Sequence, residues 1–311
     1  MPAIAPLISV VVPVYNAQDF LVDCLSSVAA QEGPFELEVL VVDDGSTDAS
    51  DAIARRHAGA HCLQQPNRGP GAARNAGIAA ARGEFIAFLD ADDLWPPGKL
   101  AAQLAVLIRQ PQAALAFGDC RQFDAGGPWP RTQFEADGLG AAAWPDGEPV
   151  PSAYARLLRE NFITTGSVLA RRSVLAELGG FAEDLRLVED LDLWLRIACR
   201  NPLAWCPQVC LLRRRHEANI SRDVEAMSLA YLRVLDRHSA GAGGVTTSDV
   251  HALVSREHAH LAELAFARGQ SGPARQHARN AFASHRSART LWLMLRAWAM
   301  RTRSVAQEHR R

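Results

Sequence analysis

Residues 84–95 read Glu-Phe-Ile-Ala-Phe-Leu-Asp-Ala-Asp-Asp-Leu-Trp, an apolar run that ends in three carboxylates within four residues. The run Phe85–Leu89 is typical of a buried strand. Carboxylates crowded at the end of such a strand repel one another unless a cation or a proton relieves them. Oxygen ligands of this kind suit Mg²⁺ or Mn²⁺, which commonly take phosphate oxygens as further ligands. The alternative is a helix cap, since Asp92 or Asp93 could cap a helix that begins near Pro96.

Three strand-like runs precede this stretch and alternate with helical patterns. The strands are predicted at Leu7–Val14, Glu38–Val42 and His61–Leu63. Helical spacing separates them, over residues 19–30, 49–57 and 71–81. Strand and helix in strict alternation predict an α/β fold, with a doubly wound, mostly parallel sheet and helices on both faces.

Polar residues follow each predicted strand at the point where it ends. They are Tyr15-Asn16, Asp43-Asp44, Asn67-Arg68 and Asp90-Ala91-Asp92-Asp93. In doubly wound sheets ligands bind beyond the carboxyl ends of the strands. The four clusters therefore predict one site at that edge.

The glycine patterns narrow the chemistry of this site. No Gly-x-Gly-x-x-Gly follows the first strand and no Gly-Lys-Ser/Thr is present, which disfavours a dinucleotide dehydrogenase or a P-loop enzyme. Without a phosphate-binding loop, a metal has to hold the phosphates, and side chains have to hold the base. Asp44 could accept from a pyrimidine N3–H and Arg74 could donate to a base carbonyl. Asp43-Asp44 could equally form an Asx-type turn, and Arg74 could lie on a solvated helix face.

Composition supports a folded protein without an obvious polyanionic partner. The 311 residues are 48% hydrophobic and 22% charged, and the net charge of -1 says nothing about a polyanionic partner. No nucleic-acid partner is expected. The six cysteines form no paired C-x-x-C spacing, which fits a reducing compartment. The N-terminus lacks a basic leader, and no run of about 18 apolar residues occurs. A cytoplasmic protein is the expectation.

Four ordered motifs together resemble the family 2 glycosyltransferases of the GT-A fold. They are Ser9-Val-Val-Val-Pro-Val-Tyr-Asn16, Val41-Val-Asp-Asp-Gly-Ser-Thr-Asp48, Asn67-Arg-Gly-Pro-Gly-Ala-Ala-Arg-Asn75 and Phe88-Leu-Asp-Ala-Asp-Asp93. The resemblance covers roughly the first 220 residues. It implies an inverting transferase that uses a nucleotide-diphosphate sugar and a divalent metal, Mg²⁺ or Mn²⁺.

The resemblance also implies roles for individual residues. Nucleotide contacts fall to Pro13, Tyr15, Asn16, Asp44, Asn67 and Arg74, and Asp90 lies near the ribose. Asp92 is the implied metal ligand, with Asp90 and His216 as further candidates. His216 follows three arginines and looks like part of the family's closing loop, where it would contact the diphosphate or the metal. Its alternative is a plain surface histidine.

Glu189-Asp190 lies at the predicted N-terminus of a helix. Acidic residues there are ordinarily dipole partners and caps. In the family, an aspartate at this place is the general base that deprotonates the acceptor hydroxyl. The resemblance assigns that role to Asp190, with Glu189 as the lesser candidate.

Two further segments complete the chain. Residues 124–151 are rich in Gly, Pro and acidic residues, and predict an irregular insertion that either shapes acceptor choice or is a plain surface loop. Residues 1–222 are the predicted catalytic domain and 223–311 a helical extension. Its last 37 residues carry nine arginines against one acid, with two tryptophans. This tail predicts either peripheral contact with an anionic membrane or docking onto the catalytic domain.

The combined interpretation is a metal-dependent inverting glycosyltransferase of cell-surface polysaccharide synthesis. Its donor would be a nucleotide-diphosphate sugar, by default a UDP-sugar, and its acceptor a glycan or lipid-linked saccharide. It would act in the cytoplasm or at the inner face of the membrane. Two alternatives are a non-catalytic nucleotide-sugar binding protein and a sugar nucleotidylyltransferase. The latter needs a Gly-rich basic loop after the first strand, which residues 13–16 do not provide.

Overall fold

The computed structural model describes residues 5–144, 148–217, 219 and 223–308. It divides the chain into two compact units, Met1–Asn219 and Ile220–Arg311. Three sequence predictions extend outside the described residues: the insertion at 145–147, the closing loop at 218, 220 and 221, and the tail at 309–311.

The first unit is an α/β structure, and the second is helical. In the described part, the strands are β1 Leu7–Val14, β2 Glu36–Asp43, β3 Ala60–Gln64, β4 Phe85–Phe88, β5 Leu115–Asp124, β6 Gly127–Pro128, β7 Val168–Arg171 and β8 Leu203–Arg214. The first unit's helices are α1 Leu21–Ala29, α2 Ser50–Arg56, α3 Pro70–Ala80, α4 Lys99–Arg109, α5 Gln133–Asp137, α6 Ala153–Leu157, α7 Arg172–Glu177 and α8 Glu189–Ala198. The second unit holds α9 Val224–Arg237, α10 Thr247–Ala267, α11 Ser271–Ser284 and α12 Ala288–Glu308.

All strands of the described residues join one sheet. Its order is β3-β2-β1-β4-β7-β5-β6, and β8 pairs with β5. The pairs among β1, β2, β3 and β4 are parallel, as is β5 with β8, whereas β7 runs antiparallel to β4 and β5. The predicted mixed, mostly parallel doubly wound sheet is confirmed.

Strand β1 shows why helices cover both faces of the sheet. Its residues are almost all buried, as expected for a strand of a parallel sheet with two covered faces. Val10 and Val12 belong to the core cluster that includes Leu25 of α1. Val11 points to the other face, where α3 lies so close that a Cβ on Gly77 would be 2.3 Å from Val11 Cγ1. Glycine at position 77 therefore sets how closely α3 packs on the sheet.

The predicted insertion is more ordered than its composition indicates. Strand β6 pairs with the end of β5, and Thr132 caps α5 through a capping box with Glu135. Trp144 is only 2% exposed, and its ring lies 5.5 Å from that of Phe117 and 5.2 Å from that of Phe134. The expectation of a wholly irregular segment is wrong, because these long-range aromatic contacts fold it onto β5.

The second unit has a small core of its own. Alanines of α10 and α11 pack with Leu293 and Ala297 of α12, which are 0% and 3% exposed. Thr246 caps α10 with Asp249 in a capping box. None of the described helices combines the length and the hydropathy that crossing a bilayer requires.

Candidate active site

The four polar clusters meet at the carboxyl edge of the sheet, as predicted. Tyr15, 53% exposed, and Asn16 follow β1. Asn16 has φ 50, in the left-handed region that asparagine tolerates. Its backbone N–H donates to Ser46 Oγ at 3.0 Å, and its Oδ1 accepts from Thr47 N at 2.8 Å. Asn16 therefore joins the end of β1 to the loop after β2. Half-buried Pro13, near the end of β1, is paired with Val42 of β2.

Asp44 organises the loop that leads into α3. It is 3% exposed; its Oδ1 accepts from Gln65 Nε2 at 2.7 Å and from Arg68 N at 2.9 Å. Its Oδ2 accepts from Gly69 N at 2.8 Å, which leaves acceptor capacity on that oxygen. The loop presents Asn67 as an exposed side chain. Nucleotide contacts of Asp44 and Asn67 stay predictions.

Arg74 is buried between two carboxylates. Its two terminal nitrogens donate to Asp90 Oδ1 and to Glu189 Oε1, each at 2.6 Å. Its guanidinium lies 5.3 Å from the centroid of the Phe181 ring, and the residue is 4% exposed. Burial lowers the pKa of Arg74, but the two carboxylates outweigh burial and hold the pKa above its ordinary value. Burial rules out the solvated helix face for this side chain, and its donation to a base carbonyl stays a prediction.

Asp92 and His216 meet beside the sheet edge. Asp92 Oδ2 lies 2.9 Å from His216 Nε2 and 3.2 Å from Asn219 Nδ2, and Asn219 Nδ2 lies 3.1 Å from His216 Nε2. The Phe20 ring stacks on the imidazole at 4.8 Å. Both Asp92 and His216 are partly exposed, at 28% and 22% of their side chains.

Among the residues that the structure describes here, Asp92 and His216 are the two candidate metal ligands. No group of three or more His, Cys, Asp and Glu side chains among the described residues is arranged to hold a metal ion. Asp90, which the sequence also predicted as a metal ligand, accepts a hydrogen bond from Arg74 through its Oδ1. One carboxylate and one imidazole on partly exposed side chains fit Mg²⁺ or Mn²⁺ that takes its remaining ligands from water and phosphate.

Asp93 has a different function from the helix cap that was the alternative reading. The N-cap of α4 is Gly98, whereas buried Asp93 accepts from Arg214 N at 2.8 Å. Arg214 Nε in turn donates to the Asp92 carbonyl at 3.0 Å. These bonds fix the end of β8 to the acidic turn, residues 90–93 after β4, and they bring His216 to Asp92.

Asp190 is held at the start of α8 by three hydrogen bonds. Its Oδ1 accepts from Leu191 N at 2.7 Å and from Asn161 Nδ2 at 3.3 Å, and its Oδ2 accepts from Thr165 Oγ1 at 3.1 Å. Burial raises the pKa of Asp190, and the charge of Arg74 and these hydrogen bonds oppose the rise. Val188, the N-cap, has φ 53, a conformation that β-branched residues rarely adopt. A raised carboxylate pKa suits a general base, and that role stays a prediction.

Glu189 is less suited to proton transfer than its neighbour. It is 7% exposed and bonded to Arg74. Burial raises the pKa of Glu189, and the Arg74 charge opposes that rise. Because Arg74 also bonds Asp90, the three side chains tie the acidic turn after β4 to the helix that carries Asp190.

Three residues of the site were missed by sequence reasoning. They are Asn161, Thr165 and Asn219. A weak signal existed for two of them, since Asn161-Phe-Ile-Thr-Thr-Gly-Ser167 is a polar segment directly before a strand. Their carboxylate partners lie 25 to 127 positions away along the chain, which a single sequence does not reveal.

Comparisons with known proteins agree with this architecture. The model of the family "Glycosyl transferase family 2" matches residues 9–179. The O-antigen biosynthesis protein RfbC of Myxococcus xanthus is 35% identical over 62% of this chain, which covers 14% of that protein. Staphylococcus aureus TarS 1-349, solved with UDP, superposes with a TM-score of 0.65 at 19% identity, covering 94% of this chain and 87% of that one. The mannosyltransferase PcManGT of Pyrobaculum calidifontis, solved with GDP-Man and Mn²⁺, gives 0.59 at 20% identity, covering 99% and 85%. Both solved structures share the GT-A fold.

Proposed function

The chain belongs to glycosyl transferase family 2, and from that membership we propose that it is an inverting enzyme that transfers a sugar from a UDP-sugar to a hydroxyl of a glycan or lipid-linked acceptor. One observation carries the proposal. Arg74 joins Asp90, beside the candidate metal ligand Asp92, to Glu189, beside the candidate base Asp190. A donor site and a base are thereby held in one rigid unit, as a single displacement requires.

The donor side of the site is the carboxyl edge around Tyr15 and Asp44. The exposed Tyr15 ring offers a face on which a base can stack. Asp44 Oδ2, with one backbone donor, can accept a further hydrogen bond from a pyrimidine N3–H. These features support UDP as the nucleotide, and so does the fold shared with a protein solved with UDP.

Asp92 and His216 would hold Mg²⁺ or Mn²⁺. The ion, when bound, neutralises negative charge on the diphosphate leaving group. Arg214 keeps the two ligands together through its bond to the Asp92 carbonyl. The donor set and the fold shared with a protein solved with Mn²⁺ support this assignment.

Asp190 would accept the proton from the acceptor hydroxyl. As that oxygen forms its bond to the anomeric carbon, the bond between that carbon and the diphosphate oxygen breaks, and UDP leaves with the electron pair. The proton stays on Asp190 until water removes it. Thr165 and Asn161 hold the carboxylate, and Oδ2, which accepts a single hydrogen bond, keeps acceptor capacity for the proton of the acceptor hydroxyl. One displacement inverts the anomeric centre and needs no enzyme nucleophile.

The acceptor is proposed to be a cell-surface glycan or its lipid-linked precursor, reached from the cytoplasmic side. A relative in O-antigen biosynthesis supports this class. A non-catalytic nucleotide-sugar binding protein would not need the three bonds that orient Asp190. A nucleotidylyltransferase would need a basic glycine-rich loop after β1, and Pro13-Val14-Tyr15-Asn16 stands there instead.

A donor screen tests the proposal. Thermal unfolding is followed with UDP-, dTDP- and GDP-sugars, each with and without Mn²⁺, and the anomeric configuration of the product is then read by proton NMR. We expect stabilisation by a UDP-sugar that depends on Mn²⁺, its loss in Asp92→Ala, and an inverted anomeric centre. Equal stabilisation of Asp92→Ala would refute the metal assignment. A retained anomeric configuration would refute the single displacement.

A further inference from the structure

Helix α12 has two apolar faces, of which the core of the second unit uses one. Thr290, Leu293 and Ala297, spaced as i, i+3 and i+7, are buried. Leu291, Leu295 and Trp298 have the spacing i, i+4 and i+7, with exposures of 47%, 58% and 65%. At about 3.6 residues per turn the two sets lie on opposite sides of the helix. Trp292, 54% exposed, widens the outer face.

The outer face is not used by the core of the second unit. Leu291, Trp292, Leu295 and Trp298 are left exposed by the described helices of that unit. Two bulky leucines and two tryptophans on one stripe exceed the scattered apolar residues of an ordinary surface. They form what we call the Trp292/Trp298 face, defined by these four residues.

The segment that carries this face has charged residues of one sign. Residues 271–299 contain five arginines and no aspartate or glutamate. Arg289 and Arg296 are exposed and lie along one edge of the Trp292/Trp298 face, beside Trp292, by their helical positions. Arg289 is paired with Glu263, and Arg296 lies 5.3 Å from the Trp292 ring centroid. An apolar tryptophan-bearing stripe with flanking arginines is the pattern of a helix that lies in a membrane interface.

We propose that the Trp292/Trp298 face is a docking surface for an anionic phospholipid bilayer, on which α12 lies in the plane of the headgroups. Indole rings favour the headgroup level, and arginine side chains reach phosphates from it. A second copy of this chain is the rival occupant. A symmetric contact through this face would bring the same arginine-rich helices against each other, which like-charge repulsion opposes.

Membrane docking through this face would serve the proposed function, on which this step rests. A lipid-linked acceptor is confined to the membrane, so an enzyme docked there meets it at a raised local concentration. The vesicle contact itself does not depend on donor chemistry, because its residues lie on a different unit from Asp92 and Asp190.

Vesicle flotation of the full chain tests the surface. The variant Trp292→Gln/Trp298→Gln is compared with the wild type and with Trp129→Gln, a matched control at another exposed tryptophan. Vesicles are pure phosphatidylcholine or an equimolar mixture with phosphatidylglycerol, at low and high salt. We expect the wild type and the control to float with the anionic vesicles at low salt. The affinity of the double variant for these vesicles should be lower by about tenfold or more. Circular dichroism checks that all three are folded.

Three outcomes would overturn the inference. They are equal flotation of the double variant, equal binding to both vesicle types, and a wild-type dimer by light scattering that the double variant converts to monomer without vesicle binding. Mn²⁺-dependent UDP binding is measured on the same samples. If vesicle binding is lost and UDP binding is intact, the proposed function is unaffected. If the wild type does not bind UDP, the proposed function is refuted and the vesicle result is unaffected.

Discussion

Replacing Arg74 by methionine should separate the two halves of the active site. Arg74 donates to Glu189 and Asp90 at 2.6 Å each, and only 5% of its side chain is exposed. Methionine keeps much of the apolar stem against Phe181 but removes the charge. Glu189, with 9% of its side chain exposed, then remains as a buried carboxylate without its partner.

The size of the effect follows from that orphaned charge. Removing one partner of a buried ion pair costs about 3–5 kcal/mol, because the other charge stays buried and uncompensated. For a domain the size of the first unit, each kcal/mol shifts the melting temperature by about 2–4 °C, so Arg74→Met should lower it by about 6–20 °C. Asp90 contributes less to the loss, since its side chain is 36% exposed and water can solvate it.

A double-mutant cycle isolates this cause. Melting temperatures are measured by circular dichroism and tryptophan fluorescence for wild type, Arg74→Met, Glu189→Gln and the double variant. Because glutamine is neutral, Arg74→Met/Glu189→Gln should recover a large part of the stability that Arg74→Met loses. An Arg74→Met protein that melts within about 2 °C of wild type, or a double variant less stable than that single one, would refute the reasoning.

Three other predictions probe separate parts of the account. Because burial raises the pKa of Asp190, kcat/KM should fall on the acid side at a pH above that of an ordinary aspartate. Thr165→Val removes a donor to the carboxylate and should move that midpoint to higher pH in a pH–rate profile; an unmoved midpoint contradicts the assignment. Asp92→Asn and His216→Ala should each weaken Mn²⁺ binding, followed by electron paramagnetic resonance, by about tenfold or more, with Asp124→Asn as an unaffected control. Trp144→Ala should cost about 3–5 kcal/mol in urea unfolding, whereas exposed Trp129→Ala should cost under about 0.5 kcal/mol, and equal losses would mean that the aromatic cluster is not a core.

The sequence predicted the fold well where the pattern was local. The apolar β-branched run of β1 and the helical spacing before and after β2 survive with shifts of a residue or two. The order of strands beyond β4 was not predictable in the same way. Strand β7 enters between β4 and β5 and runs antiparallel to both, a pairing set by contacts between distant segments.

At the site, residue type predicted location better than role. Asp44, Arg74 and Asp190 all lie at the expected edge, but Arg74 has its terminal nitrogens committed to Asp90 and Glu189. An arginine one turn into a helix looks the same in the sequence whether it faces a base or a buried glutamate. For Trp144 the predicted location was wrong. The glycine and proline residues around it suggested a surface loop, whereas its ring packs against β5 and α5.

The central claim is that Asp190 is the base of a sugar transfer, and Asp190→Asn tests it most directly. Asparagine keeps the size of the side chain, and its carbonyl oxygen can still accept from Leu191 N, but it cannot take the acceptor proton. Donor affinity and transfer rate are measured together for the wild type and the variant, with the UDP-sugar and Mn²⁺. The account predicts unchanged donor affinity and a transfer rate reduced by about 10²-fold or more. A variant that binds the donor and transfers sugar at the wild-type rate would contradict it.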